Sequence, residues 1–133
     1  MFEIGEKGQA IHDVWIEDGI AYSSNWKHGV YMIDVGNGVA GGSPSNPVAM
    51  ANYTYESGAH HATFPFKSKS TDKFYTVLGD EIFPQGIDVY TTNETAGFIH
   101  FVDFTDINNP EEVARYELPG HGSHNYWIED DIL

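Results

Sequence analysis

The sequence contains no cysteine. Disulfides, thiol nucleophiles, and zinc or iron–sulfur sites of the Cys type are thereby excluded. Positive charge is also scarce: 6 Lys+Arg stand against 20 Asp+Glu, a formal net charge of −14. Binding to nucleic acid, or docking on an anionic membrane, requires a Lys/Arg footprint that this chain lacks. No apolar run approaches the about 20 residues of a membrane helix, so no membrane insertion is expected. The first residues, Met1 to Lys7, have neither a basic nor an apolar signal-peptide region. Sustained apolar spacing at i, i+3, i+4, i+7 is missing as well, which argues against helices.

What remains is a β-type chain. Of the 133 residues, 41% are hydrophobic and 14% aromatic, enough for a packed core. Short β-branched and aromatic runs alternate with clusters of Gly, Asp, Asn and Pro. Strands are expected at 11–16, 20–24, 30–35, 48–55, 61–66, 74–78, 98–104, 112–118 and 125–128. Glu17-Asp18-Gly19 supplies a hairpin turn, with Gly19 free to take positive φ. Residues 36–47 (GNGVAGGSPSNP) read as a flexible surface loop, and 80–96 as an insertion.

An internal repeat organises these runs. His12-Asp13-Val14-Trp15-Ile16-Glu17-Asp18 recurs as His124-Asn125-Tyr126-Trp127-Ile128-Glu129-Asp130, and more weakly as His61-Ala62-Thr63-Phe64. Val30-Tyr31-Met32-Ile33-Asp34 matches Ile99-His100-Phe101-Val102-Asp103. Each unit therefore carries four strands, the pattern of a β-propeller blade. The run Val30 to Ile33 is apolar at every position, which requires cover on both faces, as stacked blades provide. A two-sheet sandwich is the competing architecture.

These motifs, with Gly79-Asp80-Glu81, resemble the LVIVD-repeat family of bacterial and archaeal β-propeller proteins. The resemblance spans nearly the whole chain; the middle unit departs most, since His61-Ala62-Thr63-Phe64 has no Trp. It implies an all-β fold of four-stranded antiparallel blades, in an extracellular, periplasmic or cell-surface protein, and carries over no catalytic residue. The expected organisation is a last strand of a preceding blade at 1–9, a blade at 10–58, a second blade at 59–122 containing the 80–96 insertion, and the start of a further blade at 123–133. Such a segment is an incomplete propeller or one closed by self-association through its open blade edges.

The seven His residues hold the main chemical interest. His12, His61 and His124 begin the innermost strands of successive units, so a propeller would gather them at one end of its axis. Imidazoles so gathered suit a divalent transition metal such as zinc, copper, nickel or iron. His60, Asp13, Asp80 and Glu81 are candidates to support them from a second layer. The alternative is a repeated structural hydrogen bond between blades. Asp34 and Asp103 close equivalent strands, where their carboxylates suit turn formation, with calcium binding near Asp103 to Asn108 as the lesser alternative.

Two functions follow from the sequence. One is a non-catalytic binding or scaffold propeller that takes a protein or small-molecule ligand through the loops at 36–47 and 80–96. The other is a metal-dependent hydrolase or oxidoreductase built on the His cluster.

Overall fold

The computed structural model describes residues 10–56, 59–81 and 95–132. Eight strands appear in chain order: β1 (Asp13–Glu17), β2 (Ile20–Ser24), β3 (Val30–Asp34), β4 (Val48–Tyr53), β5 (His60–Lys67), β6 (Phe74–Asp80), β7 (Ile99–Asp103) and β8 (Glu111–Tyr116). They form two four-stranded sheets, β1-β2-β3-β4 and β5-β6-β7-β8, with every neighbouring pair antiparallel. Among the described residues there is no helix, and none long and apolar enough to cross a membrane.

Local chemistry explains the meanders. Glu17 pairs with Ile20 across a two-residue loop in which Asp18 (φ 49) and Gly19 (φ 75) are both left-handed. That geometry matches the right-handed twist of the strands it joins. A Cβ on Gly19 would lie 2.4 Å from the Asn37 backbone nitrogen, so glycine is required there. The two sheets also share a defect. The β3/β4 register slips between Met32 and Ile33, and the β7/β8 register slips between Phe101 and Val102, the matching residues of the two units. The repeat read from side chains thus extends to the backbone.

The core lies between the sheets, where β5 packs across β1 and β2. Ile20, Tyr22, Val30, Met32, Tyr55, Leu78, Val102 and Phe104 form it. Trp15 meets Phe64 at 4.5 Å between ring centroids, which joins the equivalent positions of the two units. Every residue of β2 is buried, so that strand is covered on both faces.

Two expectations are corrected. Residues 125–128 form no strand; the segment is tied down at isolated points, with Gly122 bridging to Ala96 and Glu129 to Ile132. Asp130 (φ 53) and Asp131 (φ 63) between the last pair reproduce the turn at Asp18-Gly19 without flanking ladders. The 36–47 loop, expected to be flexible, is knit to the buried Asp34 carboxylate. Gly36 and Gly38 donate backbone N–H to Oδ1 (3.1 and 3.0 Å), and Ala40 and Gly42 to Oδ2 (2.8 and 3.0 Å). Burial by itself would raise the Asp34 carboxyl; the four N–H donors overcome it and bring it to about 2. Composition shows the glycines but not the acceptor that organises them. The expected strand at 1–9 and residues 82–94 of the expected insertion lie outside the described residues.

Candidate metal centre

The site grows from a defect in β5. His60 pairs with Asp80 and Ala62 with Gly79, which leaves His61 as an extra residue between them. A bulge of this kind re-aims a side chain. Here it turns His61 out of the inter-sheet core and toward His12, which enters β1 with its backbone N–H donated to the Ser24 carbonyl at 2.8 Å. Glu81, the residue after β6, reaches the same point.

Three donors meet there. His12 Nε2 lies 2.6 Å from His61 Nδ1, His61 Nδ1 lies 2.7 Å from Glu81 Oε2, and His12 Nε2 lies 3.8 Å from Glu81 Oε2. Two donors bonded to one tetrahedral zinc at about 2.0–2.1 Å stand about 3.3 Å apart. The three separations straddle that value and differ from it by about 0.5–0.7 Å, so side-chain movements on that scale would accommodate an ion. His124 reaches the cluster from the solvent side, with Nε2 3.7 Å from Glu81 Oε1. The exposure is graded: the His61 side chain is 7% exposed, Glu81 15%, His12 28% and His124 63%. The cluster therefore has a closed floor and an open mouth.

Trp26 forms one wall. Its indole packs against the His12 imidazole at 4.0 Å, with the rings tilted by 46°, and meets the His61 ring edge-on at 6.2 Å. Its φ of 49 is unusual for a bulky side chain. A reciprocal backbone pair with His60 holds it there, with N–H···O distances of 3.1 and 3.2 Å.

The three repeat-equivalent His residues are thus brought together, and the Glu81 carboxylate lies beside them. Asp13 is peripheral: Oδ1 accepts the Val14 N–H at 2.9 Å, and Oδ2 accepts from Asn125 Nδ2 at 3.3 Å. His60 and Asp80 face away, into the core. His60 Nε2 accepts the Tyr55 N–H at 3.2 Å, and its Nδ1 donates to the Trp26 carbonyl. Burial pushes the His60 imidazole below its ordinary value, consistent with a neutral ring in that place. Asp80 is fully buried near His100, which stacks on Tyr55 at 3.8 Å. Asn125 went unrecognised in the sequence, although its place after His124, matching Asp13 after His12, marks it.

At the calcium alternative near Asp103, both Asp103 oxygens and one Asp106 oxygen are engaged in hydrogen bonds. Asp103 accepts from Lys73 Nζ at 2.7 Å and from the Thr105 N–H at 2.9 Å, and Asp106 accepts from the Asn108 N–H at 3.0 Å. The Thr105 N–H bond to Asp103 is of the kind the turn-forming reading expects. The chain matches no protein-family model, no curated protein and no solved structure.

Proposed function

We propose that this chain is built of propeller-type blades of the LVIVD-repeat kind and carries a mononuclear transition-metal centre. His12 Nε2, His61 Nδ1 and Glu81 Oε2 are the three ligands, and His124 stands at the mouth outside this set. The centre activates a water molecule or another small ligand at its open side, in a metal-dependent hydrolase or oxidoreductase of an exported or cell-surface protein. One observation carries the reading: two imidazole nitrogens and a carboxylate oxygen from separate elements all lie within 4.8 Å of one another.

Imidazole with carboxylate suits zinc, iron, copper or nickel better than calcium, which prefers an all-oxygen shell. An ion held by three protein ligands with a free position lowers the pKa of bound water and polarises an oxygen of a bound substrate. A set of hydrogen bonds alone explains the cluster less well, because three groups rich in lone pairs crowd around one point. Two meanders in the same strand order, matching bulges and the packing of β5 on β1 and β2 support the blade reading. The ordered 36–47 loop favours a second reading, a binding surface on the same scaffold, because a rigid loop binds without an ordering cost.

Metal analysis of untagged protein tests the proposal. Near-stoichiometric zinc, iron, copper or nickel is expected, falling at least tenfold in His61→Ala and in Glu81→Gln. Zinc points to hydrolysis and a redox-active ion to oxidation–reduction. Protein that purifies without metal and takes up none on dialysis against each ion overturns the reading.

A further inference from the structure

The three His residues occupy equivalent places in the repeat but do not offer equivalent atoms. His12 and His124 turn Nε2 toward Glu81, at 3.8 and 3.7 Å, whereas His61 turns Nδ1 toward it, at 2.7 Å. Something must hold the His61 ring in that sense, since a flip about its χ2 bond would present carbon instead.

The opposite nitrogen shows what does. His61 Nε2 lies 3.1 Å from Asn125 Oδ1. The direction of the Asn125 amide is not arbitrary. Its Nδ2 lies 3.3 Å from Asp13 Oδ2, and an ionised carboxylate only accepts. The NH2 end must face Asp13, so the carbonyl end must face His61 and accept its Nε2–H. His124 Nδ1, at 3.2 Å, is a second neighbour of that proton, but an imidazole nitrogen can also carry a proton of its own. The amide carbonyl, oriented by Asp13, cannot reverse its polarity. A line of bonds His61 → Asn125 → Asp13 thus runs through all three repeat units. It uses a repeat position that differs in all three units: Asp13 after His12, Ala62 after His61, Asn125 after His124.

We infer that Asn125 is a positioning residue that selects Nδ1 of His61 as the ligating atom, and that Asp13 orients Asn125 for this role. The inference rests on the metal reading above. Ligating imidazoles commonly donate their second N–H to an oxygen acceptor, and removing such an acceptor weakens metal binding about 10–100-fold.

The test uses zinc alone as probe, with affinity measured by chelator competition and the His61 ring nitrogens followed by 15N NMR in the zinc-loaded protein. Native protein is expected to show zinc on Nδ1 and a proton on Nε2 of His61. Asn125→Leu is expected to bind zinc about 10–100-fold more weakly, with unchanged circular dichroism because the residue is exposed. The exchange Asp13→Asn with Asn125→Asp restores a donor facing an acceptor, and should recover most of the loss. A native-like affinity in Asn125→Leu, or zinc on Nε2 of His61, overturns the role of Asn125 and leaves the metal centre standing. Native protein that binds no zinc, iron, copper or nickel overturns both.

Discussion

Replacing Asp80 with Asn is expected to make this protein more stable, the reverse of what most core substitutions do. Asp80 is fully buried at the end of β6, and among the described residues neither carboxylate oxygen has a hydrogen-bond partner. The nearest basic atom, His100 Nε2, is 3.9 Å from Oδ2, too far for a hydrogen bond. His100 is engaged on its other side: Nδ1 lies 2.7 Å from Glu112 Oε2, and Glu112 is held by Arg115 Nε at 2.9 Å. The first sheet shows what the place prefers. Asn25 donates its backbone N–H to Gly29 O at 3.0 Å, as Asp80 does to Phe98 O at 3.2 Å. The Asn25 side chain then donates Nδ2 to Ser23 O at 3.1 Å and Gly29 O at 3.2 Å. By that correspondence an amide at position 80 has the Leu78 carbonyl to donate to, whereas the Phe98 carbonyl already accepts from Ser123 Oγ at 2.8 Å. A buried group without partners costs about 1–3 kcal/mol, more when charged, and this is the gain expected. With a urea m-value of about 1–3 kcal/mol/M, the unfolding midpoint should rise by about 1 M. Urea melts followed by tryptophan fluorescence measure it. A midpoint lowered by about 0.5 M or more would refute the reasoning and assign Asp80 to an ion pair with a protonated His100.

Three further outcomes follow from other parts of the fold. Asp34 sits at about 2 in the folded chain against an ordinary 3.8, so ionisation favours the native state. That contribution is complete above 3.8, fades as pH falls toward about 2 and is absent below it. Acid titration by near-UV circular dichroism should lose this portion of its pH dependence in Asp34→Asn, and an unchanged acid profile would count against it. Gly42→Ala places a Cβ 2.1 Å from the Asp34 carbonyl oxygen, whereas Gly38→Ala meets nothing within 4 Å and bears only the penalty of its φ of 82. Thermal melts should show a loss of about 1–3 kcal/mol for the first and about 1 kcal/mol for the second; the opposite order would contradict the loop geometry. Cobalt(II) or copper(II) bound at the proposed centre should quench Trp26, whose indole centroid lies 4.0 Å from that of the His12 ring. Most of the metal-dependent quenching should vanish in Trp26→Phe, and quenching that persists undiminished would place the ion elsewhere.

What the sequence by itself determined is local. Strand positions followed from runs of β-branched and aromatic side chains. The Asp18-Gly19 hairpin followed from turn chemistry, and the equivalence of His12, His61 and His124 from self-similarity. Each signal lies within a few consecutive residues or in a comparison of such stretches. The tertiary structure decided which side chain of each neighbouring pair reaches the site. Side chains alternate along a strand, so one bulge residue in β5 sends His61 to the cluster and His60 to the core, and the end of β6 sends Glu81 outward and Asp80 inward. The same holds for the 36–47 loop, whose order depends on the Asp34 carboxylate. It holds also for residues 125–128, which have strand-like residues but no continuous ladder to join. Residue type and period are carried by the chain. The facing of a particular imidazole, and the acceptor that orients it, arise only when separate sheets and segments meet in space.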